Sequence, residues 1–130
     1  MMYKKLIITF EGIEGSGKSY HINNVANYLK KKRIKFLKFR EPGGTFNSEK
    51  IRQLILNKKS NFNKLTDLFL YFASRNENVH QLIIPNYKKK VILIDRFIHS
   101  TIAYQHYGMG INKKIIENFN HVLLKKIKVD

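Results

Sequence analysis

Residues 12 to 19 read Gly-Ile-Glu-Gly-Ser-Gly-Lys-Ser, directly after the apolar run Leu6-Ile7-Ile8-Thr9-Phe10. Two glycines five positions apart, followed by a lysine and a hydroxyl, form the spacing that cradles nucleotide phosphates between a strand and a helix. Gly12, Ile13, Glu14, Gly15, Ser16 and Gly17 would turn backbone N–H groups inward at the anion, and the N-terminus of the next helix adds partial positive charge. Lys18 would reach the outer phosphates, and the Ser19 hydroxyl would sit on a magnesium ion held with ATP. The plain alternative is a glycine-rich turn that only joins strand to helix.

Two further constellations carry charge to the ends of predicted strands: Arg40-Glu41, which opens the breaker-rich run Pro42-Gly43-Gly44, and Asp95-Arg96. The elements that must position them follow from periodicity. Strands are predicted over about 4–10, 35–39 and 91–94, the last apolar throughout, as in a sheet covered on both faces. Helices are predicted over 18–31, from near Ser48, over 65–84 up to Pro85, over 99–107 and over 112–125. Residues 127–129 read as the onset of another strand. Alternating strands and helices predict an α/β fold, a three-layer α/β/α domain with a parallel sheet, spanning residues 1–130 as one unit. In such sheets ligands bind beyond the carboxyl ends of the strands, so all three constellations should gather at one edge.

Composition narrows the classes. The chain has 130 residues, 43% of them hydrophobic, and no cysteine, which excludes disulfides and a thiolate metal site. No apolar run nears the length of a membrane span, and no signal peptide is read at the start, so a cytoplasmic protein is expected. The formal charge of +16 invites a nucleic-acid reading. Against it, only 5 of the 25 basic residues are Arg, and the runs Lys30–Arg33 and Lys88–Lys90 fall where helices end, where cations belong. Nucleic acid is therefore set aside as the main partner. The five histidines show no ligand spacing and are expected to be exposed.

The chain resembles the thymidylate kinase family. The residues that carry the likeness are Phe10 to Ser19, Arg40-Glu41-Pro42-Gly43-Gly44-Thr45, Tyr71-Phe72-Ala73-Ser74-Arg75, and Asp95-Arg96-Phe97 with Ser100-Thr101 and Ala103-Tyr104-Gln105. The resemblance implies a P-loop nucleoside-monophosphate kinase that moves the γ-phosphate of ATP to dTMP, with Mg2+ and, in the full-length protein, as a homodimer. It implies that Lys18 stabilises the transferred phosphate, Arg96 grips the dTMP phosphate, and Asp95 holds magnesium through water beside Ser19. Glu14 would accept from the sugar 3′-hydroxyl, and Arg40 would support the monophosphate site. Arg75 would hydrogen-bond the thymine edge, with Tyr71 or Phe72 stacked on the base. Thr101 would bond the base, Tyr104 would crowd the 2′ position, and Gln105 would close the base pocket.

Two departures stand out. Asn76-Glu77-Asn78 replaces residues that the family often has around the base. The family also continues beyond the length of this chain with a further strand, an Arg-rich lid and a last strand and helix, so an N-terminal fragment is expected. Some members place a catalytic Arg inside the phosphate loop; Gly15 stands there, and members with this loop type supply the cation from the lid. Two alternatives stay open: another nucleotide or deoxynucleoside kinase of the same fold, and a non-catalytic module that binds nucleotides or nucleic acid.

Overall fold

The structure is a computed structural model that describes residues 6–127. Its strands are β1 (Ile7–Phe10), β2 (Phe36–Arg40) and β3 (Val91–Asp95), and its helices are α1 (Lys18–Lys31), α2 (Phe46–Leu56), α3 (Lys64–Asn78), α4 (Ile84–Asn86), α5 (Ile98–Thr101) and α6 (Lys113–Leu124). The strands form a parallel sheet in the order β1-β3-β2. Because consecutive strands run parallel, each return needs a crossover, and helices supply it.

The middle strand shows why both faces are dry. Val91 and Leu93 point to one side and pack with Ile22, Ala26 and Leu29 of α1. Ile92 and Ile94 point to the other and pack with Ile7, Val79, Ile83 and Phe97. Residues 91–94 are all buried, so the continuous apolar run is the consequence of helices above and below. A third cluster joins Leu68 and Phe72 of α3 to Ile116 of α6 and to Ile111.

Several boundaries differ from the sequence expectation. Arg40 is the last residue of β2 rather than the first of a loop. Helix α2 begins at Phe46, two residues before Ser48, because the Thr45 hydroxyl accepts from the Ser48 N–H at 3.1 Å and caps it. The single helix expected over 65–84 is three pieces: α3, a π-wound segment over Val79–Ile83, and α4. Pro85 lacks the N–H that would continue α bonding to Gln81, and the Ile84 N–H reaches back to the Val79 carbonyl instead. Likewise the helix expected over 99–107 is α5 followed by a π-wound segment, Ile102–Gly108. Ile127 is buried without being in a strand, and the expected continuation through Lys128 and Val129 lies outside the described residues, as do residues 4 and 5 of the first expected strand.

Candidate active site

Register brings the three constellations together. Phe10 and Arg40 both stand opposite Asp95, so the three strands end level. Backbone bonds hold that edge. Arg96 N–H donates to the Phe10 carbonyl, and Glu41 N–H to the Asp95 carbonyl, each at 2.9 Å.

The phosphate loop lies beyond β1 and is mostly exposed. The loop closes on itself: the Ser16 hydroxyl and Lys18 Nζ both donate to the Ile13 carbonyl, at 2.6 and 3.0 Å. At Gly12, with φ +145°, a Cβ would stand 2.8 Å from Ser16 Oγ, so only glycine permits this curl. Glu14, Gly15, Gly17, Lys18 and Ser19 line an open cavity of about 460 Å³ with Arg40, Asp95 and Arg96. Asp95 Oδ1 is buried and makes no hydrogen bond, a free hard-oxygen ligand beside Ser19. Arg40 bonds Glu49 at 3.3 Å.

A second, cramped cavity of about 20 Å³ adjoins it, lined by Tyr71, Arg75, Thr101, Tyr104 and Gln105. Arg96 and Glu41 line both. The Arg96 guanidinium sits 5.6 Å from the centre of the Tyr104 ring, a cation–π distance.

Of the two aromatic candidates for stacking, Tyr71 faces the second cavity, and Phe72 does not. Phe72 is buried against Leu68 and stacks on Phe119 at 5.3 Å, so it is core. Arg75 is held more tightly than a pocket donor needs. It is 2% exposed, and four of its N–H groups bond Glu41 (2.7 Å), Asn120 (2.8 Å), the Phe97 carbonyl (3.1 Å) and Thr101 (2.8 Å). One Nη1 donor remains for a ligand. The Thr101 hydroxyl is spent the same way, accepting from Arg75 and donating to the Phe97 carbonyl at 3.3 Å. Gln105 is 1% exposed, with neither end of its carboxamide in a well-formed hydrogen bond. It lies beside Asp67 and Tyr71, both of which burial makes weaker acids than usual.

Residues unassigned by the sequence reading complete the site. Burial raises the Glu41 carboxyl above its ordinary range, even with Arg75 beside it. Asn78 is fully buried, donates to the Gly43 carbonyl at 2.6 Å and accepts from the Thr45 N–H at 3.2 Å. Its departure from the family pattern therefore bears on the shape of the 42–45 loop, not on a direct base contact. Arg52 lines the larger cavity and donates to the Pro42 carbonyl at 2.8 Å, and burial holds its pKa below the ordinary value. Helical spacing places Arg52 and Asn78 on faces turned to this loop, a signal in the sequence. Asn120 has no local signal, because its partner is 45 residues away. Among the histidines, His106 departs from expectation: it is half-buried, with Nδ1 donating to the Ile111 carbonyl at 2.6 Å.

A parallel sheet covered on both faces, with a phosphate loop from its first strand to its first helix, defines a P-loop α/β protein. The sequence model of the family described as Thymidylate kinase matches residues 10–126. The chain is 42% identical over 126 residues to thymidylate kinase of Thermosipho africanus, covering 96% of this chain and 63% of that one. It is 42% identical to thymidylate kinase of the Wolbachia from Brugia malayi, covering 92% and 58%. The crystal structure of thymidylate kinase from Ehrlichia chaffeensis superposes with a TM-score of 0.88 at 39% identity, over 98% of this chain and 69% of that one. The chain belongs to the thymidylate kinase family, and it spans less than two thirds of the length of these curated relatives.

Proposed function

We propose that this chain is a single kinase-type domain that binds ATP and dTMP end to end and serves transfer of the γ-phosphate to give dTDP. One observation carries the reading: Arg96 lines both the phosphate-loop cavity and the smaller one, at the seam where a donor and an acceptor phosphate would meet. Phosphoryl transfer asks for alignment and neutralised charge, and Lys18, Arg40, Arg52 and Arg96 all line the phosphate-loop cavity. Arg96 presents a planar fork suited to the acceptor phosphate. Lys18 needs only to leave the Ile13 carbonyl to meet the donor.

The unpartnered Asp95 oxygen fits a hard cation, and Asp95 with Ser19 would hold Mg2+. When bound there, the ion would supply positive charge against the phosphates. Among the described residues no cluster of three or more His, Cys, Asp or Glu could hold a metal, so the remaining ligands would come from the nucleotide and water. Tyr71, Tyr104, Gln105 and the free Nη1 donor of Arg75 would enclose the base, and Glu14, which lines the larger cavity, would accept from the sugar 3′-hydroxyl. Exposed Leu65 and Phe69 on α3, with Phe119 on α6, support a homodimer face. No helix among the described residues is long and apolar enough to cross a membrane, and a cytoplasmic location accompanies this reading.

The test is transfer of labelled γ-phosphate from ATP and Mg2+ to a panel of nucleosides and monophosphates. The expected result is label on dTMP ahead of thymidine and the other monophosphates. Label on thymidine ahead of dTMP overturns it in favour of a nucleoside kinase. Tight, steeply salt-dependent binding of DNA or RNA with no label on any acceptor overturns it in favour of a binding module.

A further inference from the structure

Glu11 lines neither cavity, yet its carboxylate accepts three hydrogen bonds at the strand ends. It follows β1 directly. One carboxylate oxygen accepts from the Phe97 N–H at 2.9 Å, and the other accepts from the Ser100 N–H at 3.0 Å and from the Ser100 hydroxyl. These partners lie almost 90 residues away, immediately after Arg96. Arg96 itself has φ +67°, a left-handed backbone that a non-glycine residue keeps only when its surroundings hold it. Its N–H is fixed to the Phe10 carbonyl at 2.9 Å. The residue is thus pinned on one side by the backbone of Phe10 and on the other by the side chain of Glu11, two neighbours at the end of the same strand.

We propose that Glu11 is a positioning residue for Arg96. Its carboxylate clamps the turn 97–100 and so sets the backbone geometry that aims the guanidinium at the acceptor phosphate. The clamp also ties that aim to the strand from which the phosphate loop springs, so both phosphate sites share one anchor. Hydrogen bonds to an ionised acceptor are the strong kind, and three of them on one partly buried carboxylate leave the turn little freedom. This inference rests on the reading of Arg96 as the phosphate grip.

The experiment compares the affinities of dTMP and thymidine for the wild-type chain, Glu11→Ala, Glu11→Gln and Ser100→Ala, with Arg96→Ala setting the full value of the phosphate contact. Glu11→Ala should lower dTMP affinity about tenfold while thymidine affinity stays within about twofold. Ser100→Ala, which removes one bond of three, should show the same pattern more weakly. Glu11→Gln keeps the shape and decides the matter if the alanine variant fails to fold. Equal weakening of both ligands, or of neither, overturns the proposal. Should the wild-type chain itself ignore the phosphate, the kinase reading falls. The clamp is then decided by nuclear relaxation at Arg96 Nε in the ligand-free protein. Loss of order on removing Glu11 supports it, and unchanged order overturns it.

Discussion

The two halves of the cleft are built on opposite plans. The phosphate-loop half is open, about 460 Å³, built on one run of loop residues with charged side chains from the ends of β2 and β3 and from α2 around it, and its one lysine is only lightly tethered. The half that would take the base is cramped, about 20 Å³, and is assembled from three separate stretches around a buried arginine. A loop of backbone N–H groups needs no packed neighbours to be competent, so it can stay on the surface. A guanidinium out of water needs a carboxylate and several acceptors, so its half of the cleft must also be part of the core. The expected lesson is that damage to the second half unfolds the protein, whereas damage to the first only stops it binding.

The largest effect should come from Glu41→Ala. It strands Arg75 without its carboxylate, and breaking a buried pair costs about 3–5 kcal/mol, readable by urea denaturation. A loss under 1 kcal/mol would erase the contrast. Lys18→Ala should leave the denaturation midpoint within about 0.5 kcal/mol while ATP affinity falls about tenfold to a hundredfold by calorimetry. Gly44→Ala probes the seam between the halves. Gly44 has φ +116°, and a Cβ there would stand 2.6 Å from Asn78 Oδ1, which is tied to Thr45. A cost of about 1–3 kcal/mol is expected, and removing the clash with Asn78→Gly should recover only part of it.

The smallest effect separates by pH two carboxylates that flank the 42–45 loop, Glu41 at its start and Glu49 on α2. The Gly44 N–H, at 3.0 Å, and Arg40 hold the Glu49 carboxyl below its ordinary 4.5. Its contribution is present above that ordinary value and is lost as pH falls through the lowered one. Glu41 runs the other way: its carboxyl is raised by burial, so its contribution is present at low pH and is lost as pH rises through the raised value. Protection of the Gly44 amide, taken against the intrinsic exchange rate at each pH, should therefore fall in acid, and Glu49→Gln should abolish the acid step. An acid step that survives Glu49→Gln would assign it to another group.

What could be read from residues alone follows the same divide. Helix α1 falls on its expected bounds because its apolar spacing, its glycine entry and its lysine exit are all local. The four apolar residues of β3 announce burial by themselves. The breaks at 79–83 and 102–108 could not be read, because apolar spacing barely distinguishes a helix that widens by one residue per turn. Lys18 at the start of α1 and Asp95 and Arg96 at the end of β3 line one cavity, the juxtaposition that the alternation of strands and helices predicts. The multiple commitments of Arg75 could not be read, since Glu41, Phe97, Thr101 and Asn120 are scattered over 80 residues and only packing brings them to one side chain. Phe72 and Tyr71 are adjacent, so nothing short of the helix orientation separates core from cavity.

The i→i+5 winding of residues 102–108 stores one surplus residue in a coil that carries both Tyr104 and Gln105. Excising exposed Ala103 would let the coil relax to 3.6 residues per turn, and three steps of about 100° would leave Gln105 within roughly 30° of its present direction from Thr101. The segment could thus shed a residue, much as a surface loop can, and still hold the untouched glutamine at the cavity it borders.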